Sequence, residues 1–384
     1  MGSAFRVGRI LGISIEIHPS WLLILAFLSW SLSSGLYPDQ YEDWSEAAYW
    51  ITGTVSALLL FATVLIHELA HAIVAKRRGL DVPRITLFIF GGMSHLERQP
   101  TSAGEEFQIA AAGPATSLVI AAVTAGLGFA FQRGPEQVEA VFFYLALVNT
   151  ALAIFNFLPG FPLDGGRVLR SIAWKRTGSF RRATRIASAV GEFFGYGLIF
   201  AGFVILLSGG LLDGLWLAFI GWFLLGAARS EAAGMQLEGV LSRLTARQLM
   251  REDFPSVTPG TPLQTIVDDF MVGQGERAVM VANDGAVLGI ITVSDIRRTP
   301  RELWPTTPAQ RVMTPRDSVV TVDGSRPGLE VLMLLGEKGL NQVPVIEDGR
   351  MVGLVTRREI LERVQLAESL RTEEERVIGA DDGG

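Results

Sequence analysis

The 384-residue chain contains no cysteine. That excludes disulfides, thiolate metal sites and a cysteine nucleophile, and it leaves the compartment open. Histidine is scarce too: imidazole chemistry has only His18, His67, His71 and His95 to draw on. The formal net charge is −6 and no basic stripe is present, so there is no electrostatic footprint for nucleic acid and no such partner is expected. No cleavable leader is expected either. Met1 to Ile17 is polar and carries Arg6 and Arg9, and the first apolar run starts near Trp21 with no small-residue cleavage site after it, which reads as a retained membrane span.

The chain is rich in apolar sequence, unevenly spread. Most long apolar runs fall before about residue 230, and later segments are mixed and charged. A helix needs roughly 20 residues to cross hydrocarbon. Six segments approach or exceed that length: Trp21 to Leu36, Tyr49 to Ala75, Phe107 to Phe131, Val141 to Leu158, Ile186 to Leu207 and Leu211 to Ala228. Basic connections (Arg6 and Arg9; Lys76, Arg77 and Arg78; Lys175 to Arg185) alternate with the base-poor ones at Asp39 to Glu46, Gln132 to Glu139 and Ser208 to Gly214. In a six-span protein the positive-inside rule then puts both termini in the cytosol. Between the second and third spans, Val82 to Phe90 reads as a short β-rich segment ending at Gly91-Gly92, where a turn or close backbone approach is expected.

The tail repeats itself. Ala246 to Met250 is echoed by Ala309 to Met313, Ala278 to Ala282 by Gln342 to Ile346, and Gly289 to Thr292 by Gly353 to Thr356. Each copy spans about 60 residues of βαββα pattern. The acidic, Gly-rich Thr372 to Gly384 reads as disordered.

The strongest local motif is His67-Glu68-Leu69-Ala70-His71, inside the second apolar span. The i, i+4 spacing puts both imidazoles on one helix face, able to share one Zn²⁺, with Glu68 beside them to take a proton from a water. The plain alternative is a chance match, or two histidines bonded in helix packing. Ionisable groups in hydrocarbon are costly unless they pair or bind something, which favours the functional reading. A catalytic zinc needs a third protein ligand and an open position. Val74 and Arg77 exclude the metzincin continuation. Glu97 sits in a polar loop and reads better as a solvated residue, so Asp164 is the stronger candidate, in the stretch Asn156-Phe-Leu-Pro-Gly-Phe-Pro-Leu-Asp164-Gly-Gly-Arg167. Two prolines there break the helix, and non-helical backbone at membrane depth is tolerated only where it is buried in protein or lines a cavity. The alternative for Asp164 is a turn or cap residue ahead of Gly165-Gly166. His18 and His95 read as structural.

HELAH in a span, the later NFLPGFPLDGGR, and Ala112-Gly113-Pro114 between them resemble the site-2 protease family of intramembrane metalloproteases. The tandem repeat resembles a pair of CBS domains, and the combination resembles the CBS-containing branch of that family. The resemblance implies a polytopic α-helical membrane protein with six transmembrane helices and a short interfacial β segment, followed by a C-terminal α/β tandem CBS pair. The expected boundaries are 1–230 for the membrane protease, 231–245 for a linker, 246–305 and 306–368 for the CBS copies and 369–384 for the tail. It implies that His67, His71 and Asp164 bind Zn²⁺, that Glu68 activates water, and that Asn156 positions substrate or steadies the oxyanion. Asn149 is the less favoured donor and reads as interhelical packing. Where many relatives carry Asn three residues after the Ala-Gly-Pro motif, this chain has Ser117.

Gly289 to Asp295 resembles the CBS ribose-binding signature, so Thr292, Asp295 and Thr356 are candidates for binding an adenine nucleotide. Glu359 replaces Asp in the second copy, and a CBS pair that serves only as a dimer contact is the alternative. The implied substrate is a membrane protein, often a regulator, that presents an unwound transmembrane segment within the lipid bilayer. Val82 to Phe90 offers an edge for it to join as a strand. The expected assembly is a homodimer through the CBS domains. The rival readings are a CBS-regulated transporter or channel and an inactive membrane scaffold.

Overall fold

The computed structural model describes residues 4–89, 91–95, 98–283, 286–348 and 350–366. Glu97 and the segment 369–384 lie outside the described residues. Two compact units, Met1–Ala233 and Gly234–Gly384, divide the chain.

Six helices of the described chain are long and apolar enough to cross a membrane: α1 Ser20–Gln40, α2 Glu46–Arg77, α3 Ala103–Ala130, α4 Glu136–Asn156, α6 Phe180–Leu207 and α7 Leu211–Leu241. A shorter helix, α5 Asp164–Thr177, lies between α4 and α6. Local chemistry sets their ends. The Ser45, Ser102 and Ser179 hydroxyls accept from backbone N–H groups in the first turns of α2, α3 and α6. Lys76 and Arg77 occupy the last turn of α2, where cations complement the helix dipole. α4 ends at Asn156, three residues before Pro159, and Gly178 closes α5 at a φ of +67°. α6 and α7 pack through glycines: a Cβ at Gly202 would lie 2.6 Å from the Ala218 nitrogen, and one at Gly221 would lie 2.7 Å from the Gly195 carbonyl.

The β segment is larger than the sequence suggests. Strands β1 Phe5–Ile10 and β2 Ile13–Ile17 form a hairpin from the polar N-terminus, and β3 Arg84–Phe88 and β4 Gly91–His95 complete one sheet in the order β1-β2-β3-β4. β2 and β3 are parallel, with Ser14 opposite Arg84 and Ile17 opposite Leu87; the other pairs are antiparallel. Gly91-Gly92 therefore starts a strand instead of ending the segment. The sheet rests on the transmembrane helices: Ile13, Ile15 and Ile85 share a buried cluster with Ala72 and Ala75 of α2 and Ile109 of α3.

In the second unit the repeat is visible as two sheets. One has the order β5 Ser256–Val257, β6 Ala278–Asn283, β7 Ala286–Thr292, β8 Thr314–Pro315; the other is β9 Val322–Asp323, β10 Gln342–Glu347, β11 Arg350–Thr356, with β10 central. The copies share a detail as fine as a bulge. Register slips after Val281↔Gly289 in one and after Val345↔Gly353 in the other. Each sheet has its own apolar core, around Val279, Val281 and Ile291 and around Val343, Val345 and Val355. The segment from 231 to 241 is helical, as the end of α7.

Candidate metal centre

α2 carries His67 and His71 one turn apart, with ring centroids 4.9 Å apart. Both are buried, at 4% and 5% exposure. The chain leaves α4 at Asn156 and re-enters helix at Asp164, the first residue of α5. The Asp164 side chain does not cap that helix. Its Oδ2 lies 3.2 Å from His67 Nε2 and 3.1 Å from His71 Nε2, and the two Nε2 atoms are 3.2 Å apart.

This triangle fits one small cation. Three atoms at such spacings lie about 1.8 Å from their centroid, so an ion at the roughly 2.0–2.2 Å of zinc–nitrogen and zinc–oxygen bonds reaches all three from just outside their plane, leaving its far side open. The outer nitrogens are fixed as metal ligands require. His67 Nδ1 is 2.9 Å from the Ser117 hydroxyl, and His71 Nδ1 donates to the Ile109 carbonyl at 2.7 Å. Each ring thereby turns Nε2 toward Asp164. Burial pushes the Asp164 carboxyl up, but the His71 charge and hydrogen bonds from both imidazoles outweigh it and hold the group below the usual carboxylate range.

Glycine makes the close approach possible. A Cβ on Gly113 would lie within van der Waals distance of both Nε2 atoms, so the α3 backbone itself forms one wall of the site. Gly92 does the same for Glu68, since a Cβ there would collide with the Glu68 side chain. Glu68 is half-buried, and its Oε2 accepts from the Ser94 hydroxyl of β4 at 2.7 Å. Ser94, Ser117, Gly113 and the Ile109 carbonyl are parts of the site that motif reading did not assign. A signal for three of them was available: residues 109, 113 and 117 recur at i, i+4 along one face of α3.

The structure brings together His67, His71 and Asp164, with Glu68 next to His67 in sequence. Asn156 is half-buried at the end of α4, while Asn149 is fully buried and donates to Thr63 of α2 at 3.2 Å, an interhelical bond. The His18 ring accepts from the Ser20 backbone at the start of α1. In the tail, Thr292 and Asp295 bond each other as a helix-capping pair at 2.7 Å, and Thr356 and Glu359 form the same cap. Thr292 and Asp295 line a cavity of about 660 Å³.

The model of peptidase family M50 matches residues 55–135 and 132–198, the stretch that holds every residue of the triangle, and the CBS domain model matches 246–302 and 309–366. A candidate zinc metalloprotease of Synechocystis sp. is 35% identical over 370 residues, covering 95% of this chain and 96% of that protein. The chain belongs to the M50, or site-2 protease, family. Within that family, a candidate zinc metalloprotease of Mycobacterium tuberculosis is 34% identical over 365 residues, 94% of this chain and 92% of that protein. Among solved structures, the site-2 protease from Methanocaldococcus jannaschii is similar, at 29% identity, with 60% of this chain and 95% of that chain covered and a TM-score of 0.40. As an M50 protein with six apolar helices, the chain is a multi-pass membrane protein, and its tail is a CBS pair.

Proposed function

We propose that this protein is an intramembrane zinc endopeptidase that cuts membrane-bound substrates near the cytosolic face, with the CBS pair as its regulatory, nucleotide-binding and dimer-forming module. The observation that carries the reading is the triangle of His67 Nε2, His71 Nε2 and Asp164 Oδ2 at 3.1–3.2 Å, with a carboxylate, Glu68, one residue from His67. When bound there, zinc supplies Lewis-acid polarisation of the scissile carbonyl and acidifies a water. Glu68, oriented by Ser94, takes the proton of the attacking water and returns it to the leaving amine. Asn156 donates to the developing oxyanion. A transporter or scaffold would use the buried polar groups but has no task for Glu68.

The substrate must be unwound, because carbonyls in a helix are already hydrogen-bonded. The edge it joins is not within Val82 to Phe90, since β3 has β2 on one side and β4 on the other. Among the described residues β4 pairs only with β3, and it is the strand that touches Glu68. The expected docking strand is therefore β4. Both termini lie in the cytosol in this reading, as the basic connections require.

The test is hydrolysis of a generic unwound transmembrane peptide by purified protein in detergent, with bound zinc assayed alongside. Glu68→Gln should keep its zinc and lose turnover by about 10²–10⁴-fold, and chelation should remove both zinc and activity, with zinc restoring them. A properly folded sample that binds no zinc would sink the reading.

A further inference from the structure

The CBS repeat builds two equivalent clefts from unlike residues. In the first copy, β8 pairs with β7 so that Thr314 stands opposite Ile290. In the second copy, Arg251 takes that place, bridged to Leu354 of β11 by a pair of backbone hydrogen bonds of 3.0 Å. Thr292 and Asp295 correspond in the same way to Thr356 and Glu359, and Leu340, after the left-handed Gly339, corresponds to Glu276, after the left-handed Gly275. At one cleft the repeat therefore places Thr314, Leu340 and Asp295, and at the other Arg251, Glu276 and Glu359.

The consequences differ. Thr314, Leu340 and Asp295 line the open cavity of about 660 Å³, which Glu276 also reaches, and Arg277, Arg297 and Arg298 add positive charge to its wall. The other cleft is filled from within. Arg251 donates to both Glu276 oxygens, at 2.8 and 2.5 Å, and its Nε lies 3.8 Å from Glu359. The Arg251, Glu276 and Glu359 side chains are only 27%, 18% and 19% exposed. A two-pronged guanidinium–carboxylate pair is the strong form of this interaction. By the repeat, Arg251 stands where Thr314 stands in the first cleft, so the guanidinium fills a position that a short hydroxyl side chain leaves free there.

We propose that the CBS pair holds one nucleotide per chain, in the cleft of Thr292 and Asp295, and that Arg251 plugs the second cleft through Glu276 and Glu359. The open cleft takes a phosphate-bearing ligand, with Arg277, Arg297 and Arg298 as its counter-charges. This rests on the nucleotide reading of the CBS module given above.

Exchanging residues between the clefts tests it. Calorimetric titration of AMP and ATP into the full chain in detergent should give one site per chain. The double variant Arg251→Thr, Glu359→Asp, which removes the plug without touching the lining of the open cavity, should give two, with affinity at the first unchanged as an internal sign of folding. The reverse variant Thr314→Arg, Leu340→Glu should abolish binding while the membrane unit keeps its zinc. Two sites in the wild type, or one site still in the double variant, would overturn the plug and leave the nucleotide reading intact. No binding of either nucleotide to any form would overturn the nucleotide reading, and the plug with it.

Discussion

At the scale of single residues, the proposed metal centre rests on side chains outside the triangle of His67, His71 and Asp164. Ser117 is fully buried, and its hydroxyl meets His67 Nδ1. Such outer partners fix the tautomer and the ring orientation, and losing one costs about 10- to 100-fold in metal affinity or activity. Ser117→Ala should therefore weaken zinc binding by about that factor in competition with a graded chelator, and saturating zinc should restore most of the turnover; unchanged affinity would remove Ser117 from the site. His71 has no comparable weak point, because its partner is the Ile109 backbone carbonyl. The HExxH pair was legible in the sequence because one helix supplies both histidines at fixed spacing. Asp164 was legible only as the better of two acidic candidates, since its approach depends on how the chain returns after Pro159 and Pro162. Ser117 was visible as a departure from the family pattern, but its role follows from the meeting of α2 and α3, which no local spacing records.

At the scale of elements, α5 presents Asp164, and a buried ion pair holds α5 in place. Arg170, 3% exposed, donates through Nε to Glu106 of α3 at 2.6 Å, reaches Glu231 of α7 at 3.1 Å, and lies over the rings of Phe161 and Phe180. Removing one partner of a buried pair strands the other charge, at a cost of about 3–5 kcal/mol, whereas replacing both by apolar groups is often close to neutral. Arg170→Met should lower the unfolding temperature in detergent and reduce zinc occupancy, and adding Glu106→Leu should recover most of both. Failure of the second change to rescue would mean that Arg170 acts through its ring contacts or Glu231. β4 makes a different prediction. If the substrate adds to it as a strand, only alternate amides of the substrate face the edge. Methylating single backbone amides along a peptide substrate should slow cleavage with a period of two residues away from the scissile bond, and a flat response would exclude strand addition. The spans were easy to read, because hydropathy reports directly on hydrocarbon. The β1–β2 hairpin was not: Phe5 to Ile10 is wholly exposed, its alternation is broken by Gly8, and β3, the other neighbour of β2, lies beyond two transmembrane helices.

At the scale of the whole molecule, the orientation of the spans sets where the proposed protease would cut its substrates. His71 is six residues from Arg77 at the end of α2, about 9 Å along the axis at 1.5 Å per residue. If Lys76 and Arg77 face the cytosol, the metal centre lies within two helical turns of that side, and cleavage releases the cytosolic part of a substrate together with a short hydrophobic stub. The absence of native cysteine makes the orientation directly measurable, since a single introduced thiol is the only one present. Glu42→Cys and Arg133→Cys, exposed in the base-poor connections, should react with a membrane-impermeant maleimide on intact cells. Arg9→Cys, Arg176→Cys and Arg358→Cys, equally exposed, should react only after the membrane is opened. The reverse pattern would place the CBS pair outside the cell, away from cytosolic nucleotide, and would undo the orientation and the nucleotide-sensing role together while leaving the metal centre untouched.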